Sequence, residues 1–202
     1  MNGQETTEPT CTEKGQLDYT ATCTFEEKDY TAEHSEEIAA LGHEKYIAEN
    51  DGAHIIECSR CELSGTSERC TYENGQCIHC EAKEPSAVYR SHVQTYGDQE
   101  WVSDGKISGT VGESKRMEAV YIDLENVDEE SSIQYCAHVQ RKGWLNWRAD
   151  GDIGGTIGES LRVEAIKIQL TGPLADNYDV YYRVHAQQFG WLDWAKNGEP
   201  AG

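Results

Sequence analysis

The chain has 202 residues, with 17 Lys and Arg side chains against 37 Asp and Glu side chains, so its formal net charge is −20 at pH 7. Nucleic acids and anionic membrane surfaces are bound through clustered basic residues, and this composition excludes both as the main partner. The sequence has no run of about 18 apolar residues, so we predict no membrane span in this fragment.

Cysteine and charge divide the chain into two parts. Seven of the eight cysteines precede residue 81, and only Cys136 follows it. The net charge is −13 over residues 1–85 and −7 over residues 86–202, and Glu84-Pro85-Ser86 has the composition of a linker. We therefore predict a small Cys-rich β module at residues 1–85 and a second domain at residues 86–202.

The first segment with a clear pattern covers residues 11–31. Residues 11–15, 17–23 and 28–31 predict a three-stranded β-meander, because β-forming residues alternate there between turn residues. Cys11 and Cys23 are separated by eleven residues, and we expect a disulfide bond between them that joins adjacent strands.

A metal-ligand pattern follows the meander. Cys58 and Cys61 form one Cys-x-x-Cys pair, Cys77 and Cys80 form another, and fifteen residues separate the pairs. This spacing is typical of a four-thiolate zinc site of the zinc-ribbon kind, in which the metal supplies folding energy that a small core lacks. His54 and Cys70 are additional candidates, which would make the ligand set mixed. Disulfide bonds are the alternative, since seven cysteines form three bridges with one left over.

Residues 86–202 repeat with a period of 46 or 47 residues. The segment Tyr-Arg-Ser-His-Val-Gln at residues 89–94 aligns with residues 135–140 and 182–187, and the same offsets align Trp101, Trp147 and Trp194. The copies span residues 86–130, 131–176 and 177–202, and the third is truncated before its last strand. A period of this length indicates a repeat architecture.

Each copy predicts short strands. Tyr135, Ala137 and Val139 alternate with more polar residues, as in a half-buried strand, and Asp-Gly or Asn-Gly hairpin turns recur after each aligned tryptophan. We predict an all-β fold, with the three copies forming a trefoil-like domain of pseudo-threefold symmetry.

Two sets of tryptophans have different expected roles. Trp101, Trp147 and Trp194 occur in all three copies, so we expect them in the core. Trp144 and Trp191 lie three residues earlier, on the opposite face of a strand, and Asp98 replaces them in the first copy. Because a charge is tolerated only where water reaches it, we predict that Trp144 and Trp191 face solvent and bind a ligand. Packing between copies is the alternative.

A histidine also recurs in each copy. We expect His92, His138 and His185 to be held by structural partners such as Glu118 and Glu164, since a zinc site needs three or four converging ligands. Arg90, Arg183 and Tyr96 are further candidate ligand-binding residues, and the arginines suit an acidic sugar or a carboxylate. The sequence has no Gly-x-Ser-x-Gly, His-Glu-x-x-His or phosphate-loop motif, so we predict no enzymatic activity and no catalytic residues.

The motifs Gly-Trp-Leu-Asn-Trp at residues 143–147 and Gly-Trp-Leu-Asp-Trp at residues 190–194, together with the Gly-Thr-x-Gly-Glu-Ser turns, resemble the clostridial hydrophobic repeat with conserved tryptophan, the ChW repeat. The resemblance covers about residues 86–202. It implies a non-catalytic module of a secreted or cell-surface protein of Gram-positive bacteria. Its expected partner is a glycan or a host protein, with mucin and immunoglobulin as examples.

The alternative is a purely structural stalk or cell-wall element with no ligand. The N-terminal part resembles Cys-containing repeat modules of Gram-positive surface proteins, which implies a spacer.

Overall fold

The structure is a computed structural model that describes residues 4–49 and 52–202. Its residues form two compact units by their contacts. The cysteine-rich unit comprises residues up to 49, 53–71 and 78–81, and the repeat unit comprises residue 52, residues 72–77 and residues 82–202. The boundary predicted after residue 85 lies close to residue 82, where the continuous part of the repeat unit begins.

The described residues form β-strands and one short 3₁₀ helix, which confirms the all-β prediction. Among them there is no helix long and apolar enough to cross a membrane.

The cysteine-rich unit contains two antiparallel sheets of three strands. Their strands are β1 (Gln4–Thr7), β2 (Gly15–Phe25) and β3 (Lys28–Ile38) in one sheet, and β4 (Lys45–Ala48), β5 (Ala53–Glu57) and β6 (Ser67–Arg69) in the other. The first sheet is the predicted meander, but its first strand lies at residues 4–7 rather than 11–15. Glu26 and Glu27 both have positive φ, as a two-residue hairpin turn between β2 and β3 requires.

Sulfur makes up much of the core of this unit. Ile56, Cys11 and Cys58 are buried together, with Tyr46 and Cys61 packed against them. The long β2–β3 hairpin adds little to this core, because almost every residue of β3 is exposed.

The repeat unit is built from short antiparallel strands. They are β7 (Tyr72–Glu73), β8 (Gln76–Cys77), β9 (Ser86–Val93), β10 (Gly97–Asp98), β11 (Val102–Ser103), β12 (Met117–Glu125), β13 (Ser132–Val139), β14 (Gly143–Trp144), β15 (Arg148–Ala149), β16 (Gly154–Gly155), β17 (Val163–Thr171), β18 (Tyr181–Tyr182), β19 (His185–Ala186), β20 (Gly190–Trp191) and β21 (Ala195–Lys196), with a 3₁₀ helix at Pro173–Asp176. In the first copy β9 pairs with β10, β11 and β12, and in the second copy β13 pairs with β14, β15 and β17. The third copy repeats the two short pairings as β19–β20 and β18–β21.

Successive copies are joined by equivalent contacts. Val120 in β12 pairs with Gly154 of the second copy, and Ile166 in β17 pairs with Ala201 of the third. The backbone N–H of Gly151 donates to the carbonyl of Ile122 at 2.7 Å, and the same bond recurs 46 or 47 residues later. The second and third copies therefore each form backbone hydrogen bonds with the last long strand of the preceding copy. The trefoil-like threefold closure stays a prediction.

The core of the repeat unit lies along these junctions. Tyr135 is fully buried, together with Ile133, Val120 and Ile166. Its hydroxyl donates to the carbonyl of Asp152, and the equivalent tyrosines of the other copies donate to carbonyls at the same spacing. These tyrosines bury a ring and satisfy its hydroxyl, so they occupy the interior positions that the sequence had suggested for tryptophan.

Candidate binding surface and metal-ligand groups

All five tryptophans lie at the surface of the repeat unit. The exposed fractions are 43% for Trp101, 41% for Trp144, 43% for Trp147, 42% for Trp191 and 58% for Trp194. The exposure predicted for Trp144 and Trp191 is confirmed, whereas the core positions predicted for the other three are wrong. Strand alternation does not apply to those three, because each lies in a segment without strand pairing, just before β11, β15 or β21.

Arginine side chains stack on the aromatic rings of the first and third copies. In the first copy the guanidinium of Arg90 lies 5.0 Å from the ring centroid of Trp101 and 4.4 Å from that of Tyr121. In the third copy Arg183 lies 4.8 Å from the ring centroid of Trp191 and 4.7 Å from that of Trp194. All four distances between guanidinium and ring centroid are within the range of cation–π attraction, which extends to about 6 Å.

The second copy keeps this contact with a different cation. Cys136 stands at the position of Arg90 and Arg183 and is buried, while Lys167 places its Nζ 4.6 Å from the ring centroid of Trp144. Cys136 and Lys167 are direct cross-strand neighbours. In the first copy Arg90 faces Tyr121 in the same way. In the first copy the cation lies on the first long strand of this cross-strand pair, at Arg90, and in the second copy it lies on the partner strand, at Lys167.

The first copy neutralises its cation internally. Asp98 Oδ2 lies 3.4 Å from Arg90 Nη2, and Asp98 Oδ1 lies 2.6 Å from His92 Nδ1. The hydrogen bond to His92, together with the charge of Arg90, holds the pKa of Asp98 below its usual value. In the part of the chain that the structure describes, neither Lys167 nor Arg183 has an ion-pair partner.

The recurring histidines have partners within their own copies. His138 Nδ1 lies 3.3 Å from Glu164 Oε2, as expected. Its ring also meets Trp144 edge-on at 5.3 Å between centroids, and the third copy repeats this contact between His185 and Trp191 at 5.5 Å.

The first copy departs from the expected pairing. Arg116 Nη2 lies 2.7 Å from Glu118 Oε1, while His92 bonds to Asp98. Tyr96 is more than half exposed in the turn after β9, and its hydroxyl donates to Glu113 at 2.6 Å. It takes no part in the ring–cation contacts of Arg90.

The four cysteines predicted as one zinc site fall into two groups. Cys58 and Cys61 lie with Cys11, and Cys77 and Cys80 lie with His54 and Cys70. In each group the ligand atoms lie within 4.8 Å of one another, and both groups could hold a metal ion. The mixed set with His54 and Cys70, named as an additional possibility, corresponds to the second group.

The group of Cys11, Cys58 and Cys61 is held by the loops around it. The Sγ atoms of Cys11 and Cys58 are 3.6 Å apart and buried. Glu44 accepts the backbone N–H and the hydroxyl of Ser59, each at 2.9 Å, and so fixes the Cys-x-x-Cys loop to the segment before β4.

These two buried thiols have opposite pKa shifts. Burial and the hydrogen bond with Cys58 raise the pKa of Cys11 to about 11. Burial also acts to raise the pKa of Cys58, but hydrogen bonds from the backbone at Arg60 and Glu44 and from Cys11 outweigh it and lower that pKa to about 7. Of the two thiols, Cys58 is therefore the more acidic.

The second group combines sulfur with one imidazole. Cys70 Sγ lies 3.6 Å from Cys80 Sγ and 3.5 Å from His54 Nδ1. The His54 side chain is buried, and Tyr46 contacts its ring edge-on at 4.8 Å between centroids. A ring held in this way presents one nitrogen to the sulfurs.

The predicted disulfide bond between Cys11 and Cys23 is wrong. Cys11 precedes β2, whereas Cys23 lies near the far end of that strand and is exposed. Gly15 to Cys23 along an extended strand covers about 26 Å, and a disulfide bond needs Cα atoms within about 7 Å. Cys11 instead lies against Cys58, 47 residues later in the chain.

Two candidate residues of these sites, Cys11 as a metal ligand and Lys167 as the cation beside Trp144, were not predicted from the sequence. Cys11 joins a Cys-x-x-Cys pair from a distant segment, and no local spacing marks it. The sequence does contain a feature that points to Lys167. In the second copy, Cys136 replaces the arginine of the other copies, and Lys167 replaces the tyrosine found at Tyr121 in the first copy.

Comparison with known proteins found a family model that matches two segments of the repeat unit. The model of ChW, Clostridial hydrophobic W, matches residues 92–126 and residues 138–172. These two ranges lie in the first and second copies and contain Asp98, His138 and Trp144. No curated protein and no solved structure matches the chain.

Proposed function

We propose that the repeat unit is a non-catalytic module that binds a glycan, because residues 92–126 and 138–172 match the model of the ChW repeat, a repeat of bacterial surface proteins. The proposal includes a secreted or cell-surface location. The observation that supports it is the contact, in the second and third copies, between an exposed tryptophan and a cation that has no ion-pair partner among the described residues.

Each part of this pairing suits a sugar. An exposed indole offers a flat apolar surface for the C–H face of a pyranose ring, and burying such a surface contributes about 1–3 kcal/mol. Lys167 and Arg183 add donors that recognise carboxylate or sulfate. What distinguishes Lys167 and Arg183 is that each lies over the ring of an exposed tryptophan, at 4.6 Å from Trp144 and 4.8 Å from Trp191.

The ligand class that fits both parts is an acidic glycan, such as a sialylated or sulfated mucin chain. Trp144, Trp191, Trp194 and the two cations are the proposed ligand-binding residues. The first copy contributes least to glycan binding, because Asp98 forms an ion pair with Arg90 and stands at the position of Trp144 and Trp191.

A binding assay with matched variants tests this proposal. Sialylated, sulfated and neutral mucin glycans are immobilised, and the full chain is compared with Arg183→Gln and Trp191→Ala. We expect both variants to weaken binding to acidic glycans about 10-fold or more, which corresponds to about 1.4 kcal/mol. Arg90→Gln is the control and should change binding little, because that arginine is ion-paired.

Retention of an intact repeat unit by each variant is checked by tryptophan fluorescence. Equal binding by all variants would refute the role of these residues. Absence of binding to any glycan would favour a structural stalk element, and binding to a host protein such as immunoglobulin alone would favour the other partner class.

We further propose that the group of His54, Cys70, Cys77 and Cys80 holds a structural zinc ion, and that the N-terminal part of the chain is a spacer. Three sulfurs and an imidazole are a common ligand set of structural zinc sites. A disulfide bond between two of the three cysteines would leave one sulfur and the imidazole, which are too few ligands for a structural zinc ion. Zinc content measured on the wild-type chain and on Cys70→Ser tests this, and an unchanged content would refute it.

A further inference from the structure

Cys11, Cys58 and Cys61 form a second group of sulfur ligands, outside the zinc site proposed for His54, Cys70, Cys77 and Cys80. The three residues come from two distant segments, the turn between β1 and β2 and the loop after β5. Their sulfur atoms lie within 4.8 Å of one another. Cys11 and Cys58 are buried with Ile56 in the core of the cysteine-rich unit, and the half-buried Cys61 packs against them.

The geometry of the group suits a tetrahedral metal ion. Zinc–thiolate bonds of about 2.3 Å place neighbouring sulfurs of a tetrahedron about 3.8 Å apart. The Sγ atoms of Cys11 and Cys58 are 3.6 Å apart, close to that edge. The loop that carries Cys58 and Cys61 is already fixed by the bonds from Ser59 to Glu44, so the two sulfurs need little ordering to bind an ion.

A backbone connection supports the third sulfur in the same way. The N–H of Gly42 donates to the carbonyl of Cys11 at 3.1 Å, and Arg60 Nη2 donates to the carbonyl of Gly42 at 3.1 Å. Gly42 thus links the Cys11 turn to the Cys-x-x-Cys loop. Hydrogen bonds around the three cysteines, and not only contacts between their sulfur atoms, therefore hold the two segments together.

We propose that Cys11, Cys58 and Cys61 bind a second thiophilic divalent ion, zinc in the native protein, at a site separate from that of His54, Cys70, Cys77 and Cys80. The chain then holds two ions, and the ligands of the two sites alternate along the sequence from residue 54 to residue 70. Three thiolates leave one position of a tetrahedral ion open to water. The proposal does not depend on the glycan-binding function.

Native mass spectrometry of the full chain with saturating zinc tests the proposal directly. We expect two ions on the wild-type chain, one on Cys11→Ser, one on Cys70→Ser and two on Cys23→Ser, the control for an exposed cysteine outside both groups. A single ion on the wild-type chain that Cys11→Ser retains overturns the second site. A single ion that Cys11→Ser removes and Cys70→Ser retains overturns the first site instead.

Alkylation of the wild-type chain gives a readout that does not require any variant to fold. Cys61 is only half-buried, so burial alone does not protect it. We expect Cys61 to react slowly with zinc present and at least 10-fold faster after chelation, while exposed Cys23 reacts rapidly in both states. Equal rates for Cys61 in the two states, or a disulfide-linked Cys11–Cys58 peptide in place of bound zinc, overturn the proposal.

Discussion

Substitution of Gly155 tests how one repeat copy attaches to the next. A Cβ atom added at this position would lie 2.4 Å from the carbonyl oxygen of Glu118 and 2.6 Å from the Cα of Ala119, both backbone atoms of β12 in the preceding copy. Gly155 also has φ of +145°, a conformation that is essentially restricted to glycine. Gly155→Ala must therefore both strain its own backbone and push β16 away from β12.

Gly158 provides the matched control. It has φ of +78°, but an added Cβ would meet nothing within 4 Å. Gly158→Ala should lower the free energy of unfolding by about 1–2 kcal/mol from backbone strain alone. Gly155→Ala should lower it by about 2–5 kcal/mol, because overpacking adds about 1–3 kcal/mol to the strain.

Urea unfolding followed by tryptophan fluorescence measures both variants. All five tryptophans lie in the repeat unit, so this signal reports its unfolding and not that of the cysteine-rich unit. Equal losses of stability in Gly155→Ala and Gly158→Ala would refute the attachment of the second copy to β12.

Three further predictions concern exposure, pH and metal. Trp147→Ala should lower the free energy of unfolding by about 1 kcal/mol, well below the roughly 3–5 kcal/mol of a buried tryptophan, and a larger loss in urea unfolding would place this ring in the core. Because the pKa of Asp98 is lower in the folded state, its stabilising effect is present above about pH 4 and is lost as pH falls through the folded-state pKa; the difference in melting temperature between wild type and Asp98→Asn should therefore be constant above about pH 4 and shrink below it, and a difference that stays constant in acid would contradict it. Chelation should loosen the segments that carry Cys11, Cys58 and Cys61, seen as faster proteolysis near Ile56, and protease resistance that persists with chelator would argue against metal.

Local patterns in the sequence predict much of the repeat unit. Alternation in residues 135–139 predicts β13, and the recurring Asp-Gly and Asn-Gly turns predict the hairpins, because both depend on neighbouring residues. The same alternation fails at Trp147, since residues 145–147 are not paired as a strand and their side chains do not follow a two-residue period.

The metal-ligand groups show what local patterns cannot supply. The spacing of Cys58 and Cys61 predicts that these two sulfurs bind together, but the partner of the pair depends on which distant segment the fold brings near. Cys11 reaches it through the contact of Gly42 with the Cys11 turn, and only the tertiary structure contains that information.

Binding of an acidic glycan at the exposed tryptophans is the central claim, and the indole N–H signals of the wild-type chain test it most directly by NMR. Titration with a sialylated or sulfated mucin oligosaccharide should shift the signals of Trp144, Trp191 and Trp194, whose neighbouring cations have no ion-pair partner among the described residues. The signal of Trp101 should stay in place, because Asp98 occupies Arg90 beside it. Shifts of Trp101 alone, or no shift of any indole at saturating oligosaccharide, would contradict the claim.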